Sequence, residues 1–182
     1  MAQTREIRTK ICLIGESGVG KTSLIRRYVL DIFSDKYIAT FGTKISKKKV
    51  RIKTDDEDAA VTLVIWDIIG HKEFRELVKD AYFYGANGAL VVCDVTRRIT
   101  MDELKGWVKG LFDVTGKIPL VFLGNKSDMP ESAEVKKAEL EMFAAIYNAP
   151  VLMTSAKTGD GVEKAFEILT ERILEKGGKE ED

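Results

Sequence analysis

Cysteine is almost absent from this chain. Of 182 residues only Cys12 and Cys93 are thiols, and each lies inside an apolar run (residues 11–14 and 89–95) that reads as a buried strand. A disulfide framework is thereby excluded, and two reduced core thiols are expected. No apolar stretch is long enough to cross a bilayer, and residues 1–10 are polar and charged with no apolar signal core. Membrane spanning and secretion are both disfavoured, so the expected location is the cytoplasm, with membrane association only through a partner. Ala2 stands where myristoylation requires glycine, and the last residues, Gly-Gly-Lys-Glu-Glu-Asp, carry no cysteine, so no lipid anchor is expected. Neither sign of charge prevails, with 29 basic and 29 acidic residues, and no overall field recruits nucleic acid or anionic lipid. Histidine occurs once, at His71.

What is present fits one domain of ordinary size: residues 1–176 as a single unit, with 177–182 a short charged tail. Apolar runs at residues 7–14, 61–66, 89–93, 120–123 and 151–153 read as strands, several of them apolar on both faces. Helical stripes lie between them. Leu104, Trp107, Val108, Leu111 and Phe112 recur at helical spacing, as do Val162, Ala165, Phe166, Leu169 and Ile173. Residues 44–52, a charged turn at 54–58 and the strand at 61–66 read as the one hairpin. The remaining alternation of strand and helix implies right-handed crossovers, hence an α/β fold with a mixed, mostly parallel sheet and helices on both faces. In such sheets ligands sit at the carboxyl ends of the strands.

Four segments at such strand ends carry chemistry. Gly15-Glu16-Ser17-Gly18-Val19-Gly20-Lys21-Thr22 is a full G-x-x-x-x-G-K-[ST] between a strand and a helical segment. Its glycines let backbone N–H groups turn toward phosphate oxygens, Lys21 reaches the outer phosphates, and Thr22 offers a hydroxyl to Mg²⁺. Asp67-x-x-Gly70 closes the strand that ends in Trp66, and an aspartate there commonly holds Mg²⁺ through water while the glycine N–H approaches a third phosphate. Asn125-Lys126-Ser127-Asp128 follows the strand at 120–123. The Asp128 carboxylate can accept from both the ring N–H and the exocyclic amine of guanine, a pair that adenine lacks. After the last strand, the backbone N–H of Ala156 in Ser155-Ala156-Lys157 could donate to the guanine oxygen.

Taken in this order over nearly the whole chain, Gly15 to Thr22, Thr40, Asp67-x-x-Gly70, Asn125-Lys126-x-Asp128 and Ser155-Ala156-Lys157 resemble the Ras superfamily of small GTPases. The run from Glu16 to Leu24, Phe74, and Ala81 to Ala86 are most similar to Rab-like members. The stretch from Thr40 to Lys44 and the missing C-terminal cysteines look like archaeal relatives. The resemblance implies a six-stranded Ras-like P-loop fold that binds GTP or GDP with Mg²⁺. It further implies phosphate contacts from Ser17, Gly18, Val19, Gly20, Lys21, Thr22 and Ser23. Phe33 and Tyr37 would flank the nucleotide, Phe33 stacking on the guanine edge, and Asn125, Lys126, Asp128, Met129, Ser155, Ala156 and Lys157 would surround the base. Mg²⁺ would be held by Thr22, Thr40 and Asp67, and the reacting phosphate would be met by Lys21, Thr40, Gly70 and His71.

The family's usual glutamine after the D-x-x-G glycine is here His71, which either positions the attacking water or lies exposed without a part in catalysis. Ile68 and Ile69 are bulkier than their Rab-like counterparts and are expected to crowd the γ-phosphate site. Arg97 and Arg98 read as a solvated loop end, leaving no arginine assignable in cis. The leading function is a slow GTPase switch, monomeric, whose segments around Thr40 and Gly70 bind effectors, exchange factors and activating proteins. The alternatives are a constitutively GTP-bound scaffold with crippled hydrolysis and, disfavoured by Asp128, a nucleotide kinase or ATPase.

Overall fold

The structure, a computed structural model, describes residues 6–36, 42–53 and 58–177. Six strands, β1 (Glu6–Ile14), β2 (Lys44–Lys53), β3 (Asp58–Asp67), β4 (Gly88–Asp94), β5 (Leu120–Asn125) and β6 (Val151–Thr154), form one sheet in the order β2-β3-β1-β4-β5-β6. Every neighbouring pair is parallel except β2 and β3, which run antiparallel from Lys44 opposite Asp67 to Lys53 opposite Asp58. The predicted hairpin is therefore present, while residues 54–57 of its turn lie outside the described set. All residues of β4 and β5 are buried, as expected of central parallel strands covered on both faces. By contrast β2 sits at the sheet edge, and six of its ten residues are Lys44, Lys47, Lys48, Lys49, Arg51 and Lys53.

Two cores flank the sheet. Helices α1 (Lys21–Leu30) and α6 (Val162–Gly177) cover one face through Leu24, Ile25 and Tyr28 and through Val162, Ala165, Phe166, Leu169 and Ile173. On the other face Trp107, Val108 and Leu111 of α4 (Leu104–Thr115) and Leu140 and Ala144 of α5 (Lys137–Ala145) pack on β4 and β5. Helices α2 (Lys72–Phe83) and α3 (Arg98–Asp102) complete the set. Both sequence stripes thus face the sheet, because a run apolar at every third or fourth position can hide its stripe only against another apolar surface. Among the described residues no helix is long and apolar enough to cross a membrane.

The α1 and α6 layer is joined by a ring stack. Tyr28 and Phe166 lie with centroids 3.9 Å apart and planes 2° from parallel, and Phe166 is 1% exposed. Because α1 carries the phosphate-loop lysine at its first position, this stack also fixes where that helix starts. Phe166→Ala removes the ring and leaves a cavity, a change that costs about 3–5 kcal/mol. Urea unfolding of the two proteins under identical ligand conditions should show a loss of that size; a loss below ~1 kcal/mol would mean that the layer does not depend on the stack.

Candidate functional site

The carboxyl ends of β1, β3, β5 and β6 meet around one cavity of about 470 Å³, a volume typical of sites for small organic ligands. Beneath it, β1 ends at Ile14 and the chain turns through Gly15 to Gly20 into α1. Gly20 adopts φ +103°, and a Cβ there would collide with the Asn125 amide nitrogen, so no other residue fits. That amide donates to Val19 O at 2.9 Å, and Thr154 Oγ1 donates to Asn125 Oδ1 at 3.1 Å. Asn125 thus ties the loop to β5 and β6 from behind. No acidic side chain occupies the first turn of α1, so its positive end is set to receive an anion.

Lys21 is 6% exposed and donates to Gly15 O at 2.7 Å and Glu16 O at 2.8 Å. Burial pushes its ammonium down to about 8, against the pull of Asp67 and Glu16. An ammonium has three donors, and the two carbonyls leave one for a phosphate oxygen. Beside it, Thr22 Oγ1 donates to Asp67 Oδ2, while Asp67 Oδ1 is buried without a hydrogen-bond partner. Burial raises the Asp67 carboxyl, opposed by Thr22 and Lys21. An orphaned carboxylate oxygen next to a hydroxyl is a hard-donor pair that suits Mg²⁺. Among the described residues no group of three or more His, Cys, Asp or Glu side chains could cage a metal.

Gly70 closes over the loop: a Cβ on it would lie 2.5 Å from Ser17 N and 2.7 Å from Lys21 Nζ. His71 is exposed and lines the cavity. Ile68 also lines it, from a position 3% exposed in the core, whereas Ile69 does not. Of the two isoleucines expected beside the γ-phosphate site, Ile68 therefore stands at the cavity.

At the far end of the cavity stand Lys126, Asp128, Met129, Ala156 and Lys157. Lys126 holds φ +66°, a left-handed conformation that is uncommon for a side-chain-bearing residue and gathers at functional sites. Ser155 Oγ donates to Asp128 Oδ1 at 2.6 Å and accepts from Thr158 N at 3.1 Å, which orients the carboxylate. Arg27 of α1 donates from Nε to Ala156 O at 2.9 Å and from Nη2 to Lys157 O at 2.6 Å, fixing that loop to the helix.

Of the residues singled out in the sequence, Ser17, Gly18, Gly20, Lys21, Thr22, Ser23, Phe33, Asp67, Gly70, His71, Asn125, Lys126, Asp128, Met129, Ala156 and Lys157 line this one cavity. Val19 and Ser155 stand behind its wall, Val19 with its side chain in the core. Tyr37 and Thr40 lie outside the described residues, as does the side chain of Phe74.

Arg97 and Arg98 are exposed, as expected of a solvated loop end, but both side chains are engaged. Arg97 Nε meets Asp94 Oδ2 at 3.1 Å and its Nη2 donates to Ser17 O at 2.9 Å, while Arg98 turns away to Glu139 at 2.7 Å. Asp94, fully buried, also pairs with Lys126 Nζ at 2.6 Å. Burial works to raise its carboxyl, yet the bonds from Lys126, Thr96 and Arg97 hold it below the ordinary range. Trp107, placed in the core as expected, also donates from Nε1 to Glu16 Oε1 at 2.8 Å. The signal that marked Asp67, an acid closing a buried strand, is carried equally by Asp94.

A glycine-bent loop with a buried lysine, a threonine and aspartate pair beside it and a second acidic site at the far end define a P-loop nucleotide-binding domain. The chain belongs to the Ras family, whose model matches residues 10–175. It is 36% identical to the Ras-related protein Rab-8 of Diplobatis ommata over 98% of its own length and 83% of that protein. Against human Rab-8B identity is 34%, covering 97% and 83%, and against human Rab-25 it is 39%, covering 94% and 78%. The chain is accordingly a Rab-like GTPase of the Ras superfamily.

The Lys21 environment predicts a pH signature. In protein stripped of nucleotide and Mg²⁺, the native lysine releases its proton near 8 and the unfolded one near its ordinary value of about 10.4. Between these values the unfolded chain holds the extra proton, so unfolding free energy should rise with pH across that window, on the order of 1–3 kcal/mol. Denaturant titrations at pH 7.5 and pH 10 should show this rise in the native sequence relative to Lys21→Met; identical slopes in the two proteins would contradict it.

Proposed function

We propose that residues 1–176 form a monomeric GTP/GDP switch that hydrolyses GTP slowly, with Mg²⁺ as cofactor. The observation that carries this reading is the contact of Gly70 with the phosphate loop. Its Cα lies so close to Ser17 N and Lys21 Nζ that a Cβ would not fit, so a third phosphate drawn to Lys21 must act on the segment that Gly70 begins. That segment, together with the one around Thr40, would bind effectors, exchange factors and activating proteins in a nucleotide-dependent way. Soluble operation in the cytoplasm, with membranes reached only through such partners, accompanies the proposal.

In this reading Lys21 neutralises charge on the outer phosphates, and the N–H groups from Ser17 to Ser23 hold the phosphate oxygens. Thr22 and Asp67, with Thr40, would hold Mg²⁺, which when bound screens the charge that develops on the leaving phosphate. Asp128, oriented by Ser155, would pair with the guanine N–H donors and Ala156 N–H with its oxygen, while Phe33 would stack on the guanine edge. His71 at the cavity mouth would position the attacking water. Tight release of GDP or GTP on acid extraction of the purified protein would support the assignment, and release of adenine nucleotide or none would oppose it.

Asp128→Asn should weaken GDP binding by several kcal/mol, because one of two paired acceptors becomes a donor facing a donor. Equilibrium titration with labelled GDP measures this, and an unchanged affinity would remove Asp128 from the base site. Unassisted turnover should be on the order of 10⁻³ s⁻¹ or slower, as for switches that lack an arginine on the phosphates. In single-turnover assays His71→Ala should lower that rate several-fold without altering GTP affinity; an equal rate would strip His71 of its role.

A further inference from the structure

We propose that Arg97 is a positioning residue for the phosphate loop: bridging Asp94 to the Ser17 carbonyl, it couples the grip on the base to the grip on the phosphates. The inference rests on the guanine-nucleotide reading above and concerns a residue outside the motifs that define that reading. Its basis is one buried carboxylate oxygen shared by two cations. Asp94 Oδ2 meets Lys126 Nζ at 2.6 Å and Arg97 Nε at 3.1 Å, while Oδ1 accepts from Thr96 N at 2.9 Å and Thr96 Oγ1 at 2.6 Å. With both oxygens engaged and the group fully buried, the carboxylate cannot swing without breaking several charged bonds. Lys126 projects from it into the base end of the cavity. Held at the same oxygen, Arg97 reaches the Ser17 carbonyl through Nη2 at 2.9 Å.

Arginine suits this bridge because its guanidinium is a rigid plane, so a nitrogen fixed on Asp94 sets the place of the nitrogen on Ser17. A lysine, with one point of charge on a flexible stem, could serve either partner but not hold both in a set geometry. Ser17 stands at the apex of the loop, between Glu16, whose carboxylate is held by Trp107 Nε1 at 2.8 Å, and Gly18. The apex is thus pinned through a side chain on one flank and a backbone carbonyl on the other. The effect of Arg97 on nucleotide is carried by the Ser17 carbonyl that it holds.

The test uses the full chain and labelled GDP, with GMP as a competitor that keeps base, ribose and first phosphate but lacks the outer one. Arg97→Ala should speed GDP dissociation roughly fivefold or more, the scale of losing a charged hydrogen bond at a half-exposed site. GMP affinity should stay within about twofold of the parent, and Arg97→Lys should fall between the two. Asp94→Asn frees Lys126 as well and should weaken GDP and GMP alike; if that buried substitution prevents folding, the two Arg97 variants decide the matter alone. The proposal is overturned if Arg97→Ala releases GDP at the parental rate, or if GDP and GMP affinities fall together, which would mark a general loss of structure. Failure of the parent protein to bind GDP would instead overturn the underlying reading, and the proposal with it.

Discussion

A protonated amine enclosed by backbone carbonyls is the constraint around which the carboxyl edge of the sheet is arranged. Lys21 is nearly inaccessible, and the carbonyls of Gly15 and Glu16 replace the water it loses. Burial of an ammonium is costly unless such partners are supplied. The loop must therefore curl tightly enough to aim its carbonyls inward, which in turn demands Gly20 in a left-handed turn under the Asn125 amide. Asn125 can reach that turn because β5 runs as far as β4, Asn125 opposite Asp94, past the level at which β1 ends opposite Val91. A chain of local necessities thus runs from one charged nitrogen to strand order.

The same edge holds its acids in different electrostatic states. Asp67 keeps one buried oxygen without a partner, and its carboxyl is raised, chiefly by burial. Asp94 is buried as deeply, yet four bonds from three residues hold it ionised. The contrast separates an acid with capacity for a cation from an acid whose capacity is already consumed within the protein. Asp94 serves as a fastening, whereas Asp67 keeps one oxygen open.

Most of the sheet was legible in the sequence because buried parallel strands must be continuous apolar runs, and residues 89–93 and 120–123 have no other economical reading. The hairpin was legible for the opposite reason, since a lysine-rich run beside an apolar one can share a sheet only at its edge. The site motifs were legible because each joins an unusual residue pair to a strand end, as Lys21 and Thr22 do. What stayed hidden depended on contacts distant in sequence. Arg97 looked like solvent-facing charge because nothing local to it announces Ser17, 80 residues away. Trp107 satisfied a helical stripe so completely that its indole N–H, which binds Glu16 across 91 residues, left no trace in the periodicity.

The basic edge strand bears on how the molecule behaves in a crowd. An edge strand presents unpaired N–H and C=O groups that a second sheet could extend, the first step toward fibrous association. On β2 the side chains of Lys47, Lys49 and Arg51 are exposed, so a second copy brought up to this edge would set cation against cation along the seam. Self-templating is opposed by repulsion at the contact itself, while the balanced total of 29 charges of each sign leaves no net repulsion between whole molecules. Colloidal stability in this protein is consequently a property of where charge is placed rather than how much of it there is.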